Sequence, residues 1–115
     1  MDWHAVIERA VDRHPVPAFL VRFGASADVE VPITVAHLSY NDLAVPSGGS
    51  TTQQSDRWMV PARRLEAAGF PMPPREGDVL MIPAQGFQGR VTVAAPGWAG
   101  GALVRWDISV EGPGA

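Results

Sequence analysis

The chain has 115 residues, 46% hydrophobic and 18% charged, with a formal net charge of −3. That is enough apolar material for one core but not two, and too much for a disordered chain. The complete absence of cysteine excludes disulfides, thiolate chemistry and Cys-ligated zinc, and an acidic balance whose only basic side chains are nine arginines leaves no basic footprint for nucleic acid.

The 12 glycines and 11 prolines point to many turns and short elements, and so to a β-dominated domain. Residues 2–13 come first, with Trp3, Val6, Ile7, Ala10 and Val11 at helical spacing and Asp2 placed to cap. This predicts a short amphipathic helix that stops at His14, because the residue before Pro15 is pushed out of the α region. Its start carries no basic region followed by an apolar run, and no long apolar stretch occurs in the chain, so neither export nor a membrane span is expected.

A first strand follows over 17–23, a turn over 24–28, and an alternating strand over 29–38 in which Val29, Val31, Ile33 and Val35 share a face. Pro32 cannot donate to a ladder, which predicts an edge position or a bulge. Residues 44–55 contain almost nothing apolar, cannot offset their own ordering entropy, and read as a flexible loop. Strand character resumes at 56–62 with Trp58 and Val60 on one face, and a helical turn at 63–68 stops at Gly69.

Residues 70–74 read as extended, near polyproline geometry. They lead into a hairpin over 75–93, with Gly77 and Asp78 as its entry turn and 84–89 as its connection. A turn over 97–101 with Trp98 at its tip precedes the last strand, 102–111, where Val104, Trp106, Ile108 and Val110 alternate cleanly, and 112–115 is a frayed tail. These elements predict a single mainly β domain over 1–115. They close most economically as a small closed or partly open barrel or sandwich of about six strands, with a short N-terminal helix and one helical turn between strands.

Catalytic signals are weak. His4 and His14 lie at opposite ends of one helix, and His37 sits near Tyr40 and Asp42, so no two histidines share the i, i+4 face of a metal site. Asp78 reads as a turn residue, Ser47, Ser50 and Ser55 lack a nucleophile setting, and neither Gly48-Gly49 nor Gly100-Gly101 opens a helix as a phosphate loop would. An enzyme is not expected, nor a metal or cofactor. Arg57, Arg63 and Arg64 flank the polar loop and the helical turn; they read either as solvated charges or as contacts to acidic groups of a partner. Trp3 and Trp98 are further interface candidates.

The run Arg57-Trp58-Met59-Val60-Pro61-Ala62-Arg63-Arg64-Leu65, followed by Pro74-Arg75-Glu76-Gly77-Asp78-Val79-Leu80, resembles the head-to-tail joining proteins of long-tailed phages. These are the head-closure or stopper proteins, also found in phage-derived gene transfer particles. Their order of strand, Leu-bearing helical turn, Pro-x-x-Gly-Asp, apolar strand and a final strand with Val104-Arg105-Trp106 spans roughly 56–111 here. The chain departs from many relatives at Arg90-Val91-Thr92-Val93, where they carry a tyrosine before the valine.

The resemblance implies a β-barrel subunit in a ring of six or twelve copies. The ring would lie between a portal or adaptor protein on the head side and a tail terminator or tail tube protein on the other, in a virion or phage-like particle assembled in the bacterial cytoplasm. Packaged DNA would pass through the channel without sequence-specific binding, and no membrane is involved. It also implies a partner or channel role for the loop residues Pro46, Ser47, Gly48, Gly49, Ser50, Thr51, Thr52, Gln53 and Gln54. A minor tail or tail-completion component of the same particle is the nearest alternative. An alternative of another class is a stand-alone barrel that binds a peptide or small ligand at an apolar surface around Trp58, Trp98 and Trp106.

Overall fold

Six antiparallel strands close into a barrel in the order β1-β2-β3-β6-β5-β4 in the computed structural model, which describes residues 1–38 and 55–111. The strands are β1 (Val16–Arg22), β2 (Val29–Leu38), β3 (Ser55–Pro61), β4 (Val79–Ile82), β5 (Phe87–Ala99) and β6 (Ala102–Glu111). Helix α1 (Trp3–Arg13) precedes them and α2 (Ala62–Ala67) follows β3 directly. The fold is mainly β, as the alternation and the density of turns predict. The polar loop residues 46–54, together with Tyr40, Asp42 and the tail 112–115, lie outside the described residues.

The inward faces follow the period of two. Leu20, Val31, Ile33, Val35, Trp58, Val60, Leu80, Ile82, Val91, Trp106, Ile108 and Val110 form one core. Two elements close the barrel at the end where β1 and β3 finish: α2, through Ala62 and Leu65, and Phe70, which is 3% exposed. The expected extended run 70–74 is therefore not a surface spacer. Phe70 turns into the core, and the Met72–Pro73 peptide is cis.

Pro32 lies opposite Phe19 in an unbroken β1–β2 ladder, so there is no bulge. Among the described residues its other flank has no strand partner, because β2 pairs with β3 only from Ala36 to Leu38. β2 is thus locally an edge at this residue, the edge alternative for a proline in a strand.

The largest departure from expectation is the β5–β6 hairpin. β5 does not stop near Val93 but runs on to Ala99, past register shifts between Val91 and Val93 and between Gly97 and Trp98. Gly100 and Gly101, at φ 57° and 79°, form the two-residue turn, and Trp98 pairs with Leu103 inside the ladder instead of sitting at the tip. A Gly-Gly pair between two strands is the signature of this turn type, since both central residues need positive φ.

Helix α1 lies against β2, β3 and β6 on the outside of the barrel. Asp2 caps it, its Oδ1 accepting from the Ala5 N–H at 3.2 Å, and Val11 is its fully buried contact. At its start Trp3 packs over the hairpin turn, where a Cβ on Gly100 would stand 3.1 Å from the indole ring.

Candidate functional site

The residues singled out from sequence divide between three places. The first is a buried ion pair at the closed end of the barrel. Gly77, at φ 98°, makes the turn before β4, and its N–H donates to Val91 O at 3.0 Å. Asp78 is 2% exposed, and its carboxylate accepts from Arg22 Nε and Nη2, both at 2.9 Å, and from the Arg75 N–H at 2.8 Å. Arg22 Nη2 also donates to Pro73 O at 2.8 Å, and its guanidinium stands 4.9 Å above the Phe70 ring.

Asp78 is therefore a turn residue and more: it ties the end of β1 to the start of β4 through a bidentate pair, the strongest geometry for this charge type. Its hydrogen bond raises the Arg22 guanidinium above its ordinary value, against the opposing effect of burial. Only the apolar residues around Arg22 hint at this from sequence. A single arginine in the strand Val16–Arg22, with Phe23 after it, can be placed against a carboxylate only once β1 and β4 are known to be neighbours.

The second place joins the two helices. Arg63 donates to both carboxylate oxygens of Glu8 at 3.0 and 2.9 Å, and Arg64 to both of Asp12 at 2.9 and 2.8 Å. Glu8 and Asp12 lie one turn apart on α1, and Arg63 and Arg64 are adjacent on α2, so two forks lock one helix to the other. Two of the predicted partner-binding arginines thus have carboxylate partners within the chain. Arg57 lies 3.7 Å from Asp107, which is also 3.3 Å from Arg105 Nε on the same outer face.

Hydrogen bonds from the arginines hold both helix carboxylates below their ordinary values of 4.5 for Glu8 and 3.8 for Asp12. A carboxylate whose folded value is depressed contributes stability at pH above its unfolded value and loses it as pH falls through the folded one. The helix lock should be complete at neutral pH and open only below the ordinary carboxylate range. An NMR titration of the side-chain carboxyl carbons should place both midpoints below those ordinary values. Arg63→Ala should return Glu8 toward its own, and Arg64→Ala should do the same for Asp12. Midpoints unmoved by either substitution would show that the forks are not formed in solution.

No protein-family model matches the chain, and no curated protein matches it in sequence. Its own geometry therefore carries the functional reading.

The third place is a depression of about 560 Å³ at the closed end, between the start of α1, α2, Met72 and the start of β6. Ala62, Ala67, Met72, Ala102 and Leu103 share its wall with the polar side chains of His4, Arg63 and Glu66. Three of the six exposed large hydrophobic side chains among the described residues belong to its surroundings. Met72, at 38% exposure, is part of the wall; Trp98, at 65%, is the cross-strand partner of the wall residue Leu103; and Trp3, at 41%, covers the adjacent turn. Interface candidates Trp3 and Trp98 are thus brought to one flank of the barrel.

Trp58 and Trp106, by contrast, are 3% and 7% exposed and belong to the core, so they cannot share a binding surface with Trp98. His37 packs on Trp58 with ring centroids 4.7 Å apart. Among the described residues no group of three His, Cys, Asp or Glu side chains could hold a metal ion, and no helix is long and apolar enough to cross a membrane.

Proposed function

We propose that the chain is a structural connector subunit that assembles into a ring between the portal or adaptor of a DNA-filled capsid and the tail, closing the head and docking the tail. The observation that carries this reading is where the residues of the resemblance fall. Arg57 to Pro61 lie on β3, Ala62 to Leu65 on α2, Asp78 at the turn into β4, and Val104 to Trp106 on β6. The motif order is thus one contiguous set of barrel elements rather than a scatter of short matches, with the buried Arg22–Asp78 pair giving the Gly-Asp turn its reason. A barrel of this kind is a rigid block, and its role here is mechanical and needs no catalytic group. The net charge of −3 suits a channel wall that lets DNA slide without adhering.

The test is deletion of the gene in the phage or gene-transfer particle that encodes it, followed by electron microscopy of the lysate. DNA-filled heads without tails, leaking their genome, are expected, and a ring of this protein should appear at the head-to-tail junction of intact particles. Normal infectious particles after deletion would overturn the connector role. Removal of Pro46 to Gln54 alone should abolish DNA retention or tail joining while the barrel still folds.

A further inference from the structure

We propose that Pro32 and Pro96 are guards that keep a second copy of this chain from adding its strand to two stretches of open edge in the barrel. Closure does not run the full length of the strands. β2 pairs with β3 only over 36–38, and β4 pairs with β5 only over 87–90. Among the described residues, 29–35 of β2 and 93–99 of β5 therefore have a strand on one side alone. The β5 stretch also carries Val93 at 54% exposure and Trp98 at 65%. An exposed apolar edge of this kind is a template for strand addition.

The direction of each proline nitrogen follows from two hydrogen bonds. The Val91 N–H donates to Asp78 O at 2.7 Å and Val91 O accepts from the Gly77 N–H at 3.0 Å, so the backbone groups of Val91 face the β4 side. Along a strand these groups point to alternate sides, and in an antiparallel ladder two opposed residues either face each other or both face away. Gly89 thus faces β4 as well, and its partner Leu80 faces β5. Leu80 is then turned from β1, and Leu20 opposite it is turned from β4. Leu20 consequently faces β2, Val31 faces Leu20, and Pro32 faces away from β1 onto the open flank.

The same steps reach Pro96 through β6, which is paired residue by residue with β5 from Glu111 to Arg105. Arg90 faces β6 and Glu111 faces it in return, so Trp106 faces β3, and Pro96 opposite Trp106 is turned away from β6. Each ring therefore stands where a further strand would bond. It offers no N–H, and its Cδ obstructs the approach. Both prolines are exposed, and the exposed Glu30 adds a charge to the β2 edge, a second common means of blunting one.

A proline that is merely tolerated at an edge can be replaced without consequence, whereas replacing a guard releases association. This distinction does not depend on the connector reading, since a free subunit has the same edges in any setting. The test compares the wild type with Pro32→Val, Pro96→Val and the double variant by sedimentation velocity over a concentration series, with circular dichroism to verify the barrel.

Identical edges paired antiparallel form an isologous contact, so each single variant should gain a dimer. The dimer should form at a concentration at least about tenfold below any association of the wild type, the scale of one restored hydrogen bond. The double variant, with two released edges, should grow beyond dimers. Hydrogen exchange should find the amide introduced at position 32 or 96 protected in the associated state. A control moves the block instead of removing it: Pro32→Val with Thr34→Pro keeps a proline facing the same flank and should restore the wild-type distribution. Single variants that both sediment as the wild type does, or dimers that survive the moved proline, overturn the proposal.

Discussion

Asp78→Ala is expected to remove about 3–5 kcal/mol of folding stability, because it strands a largely buried arginine without its counter-charge. Arg22 has 13% side-chain exposure and Asp78 2%, so water can take over only part of the lost interaction. The same substitution also orphans the Arg75 N–H, which donates to Asp78 Oδ2. For a domain of this size the loss should appear as a fall in melting temperature of roughly 12–20 °C.

A double-mutant cycle sharpens the case. Arg22→Met with Asp78→Leu removes both charges, and the pair should lose much less than the sum of the single losses. Additive losses, or an Asp78→Ala melting temperature within a few degrees of the wild type, would show that the pair is not what fixes β1 to β4. Arg63→Ala, which breaks an exposed fork, should do far less.

Leu65→Ala is expected to cost about 2–5 kcal/mol, measured by urea denaturation with the slope unchanged. Helix α2 has only six residues and Pro61 at its N-cap with no side-chain cap, so it cannot hold itself by local interactions. What holds it is Leu65, 0% exposed, driven into the barrel end beside Phe70. Truncation leaves a void at the end of the barrel that α2 and Phe70 close. Amide exchange should accelerate first in α2 and at Gly69 and Phe70, whose N–H groups donate to Glu66 O and Leu65 O. A loss below about 1 kcal/mol would mean that the helix is a surface turn and the end is closed by something else.

These two effects also mark where sequence reasoning ran short. Leu65 reads as part of a helical turn, and nothing in Arg63 to Ala68 says which way it faces, because six residues are too few to define a stripe. Asp78 after glycine has a sufficient local explanation as a turn residue, so the second role leaves no trace in the pattern. The extent of β5 was obscured by Ala94, Ala95, Pro96 and Gly97, poor strand formers that extend only because β6 supplies the ladder. The Gly100-Gly101 turn, in contrast, was legible as a hairpin signal, and reading it would have placed Trp98 in a strand.

By itself the sequence determined the most regular elements and their inward faces. Alternation at Val29 to Val35 and at Val104 to Val110, the helical spacing from Trp3 to Val11, and turn residues at each break are local properties, and local sterics and periodicity suffice to read them. Only the tertiary structure decided closure, the pairing of Arg22 with Asp78, the forks between α1 and α2, and the meeting of α2, Met72 and the start of β6 around one depression. Each of these joins residues far apart in the chain. Their meeting depends on strand order and register, which no local pattern encodes.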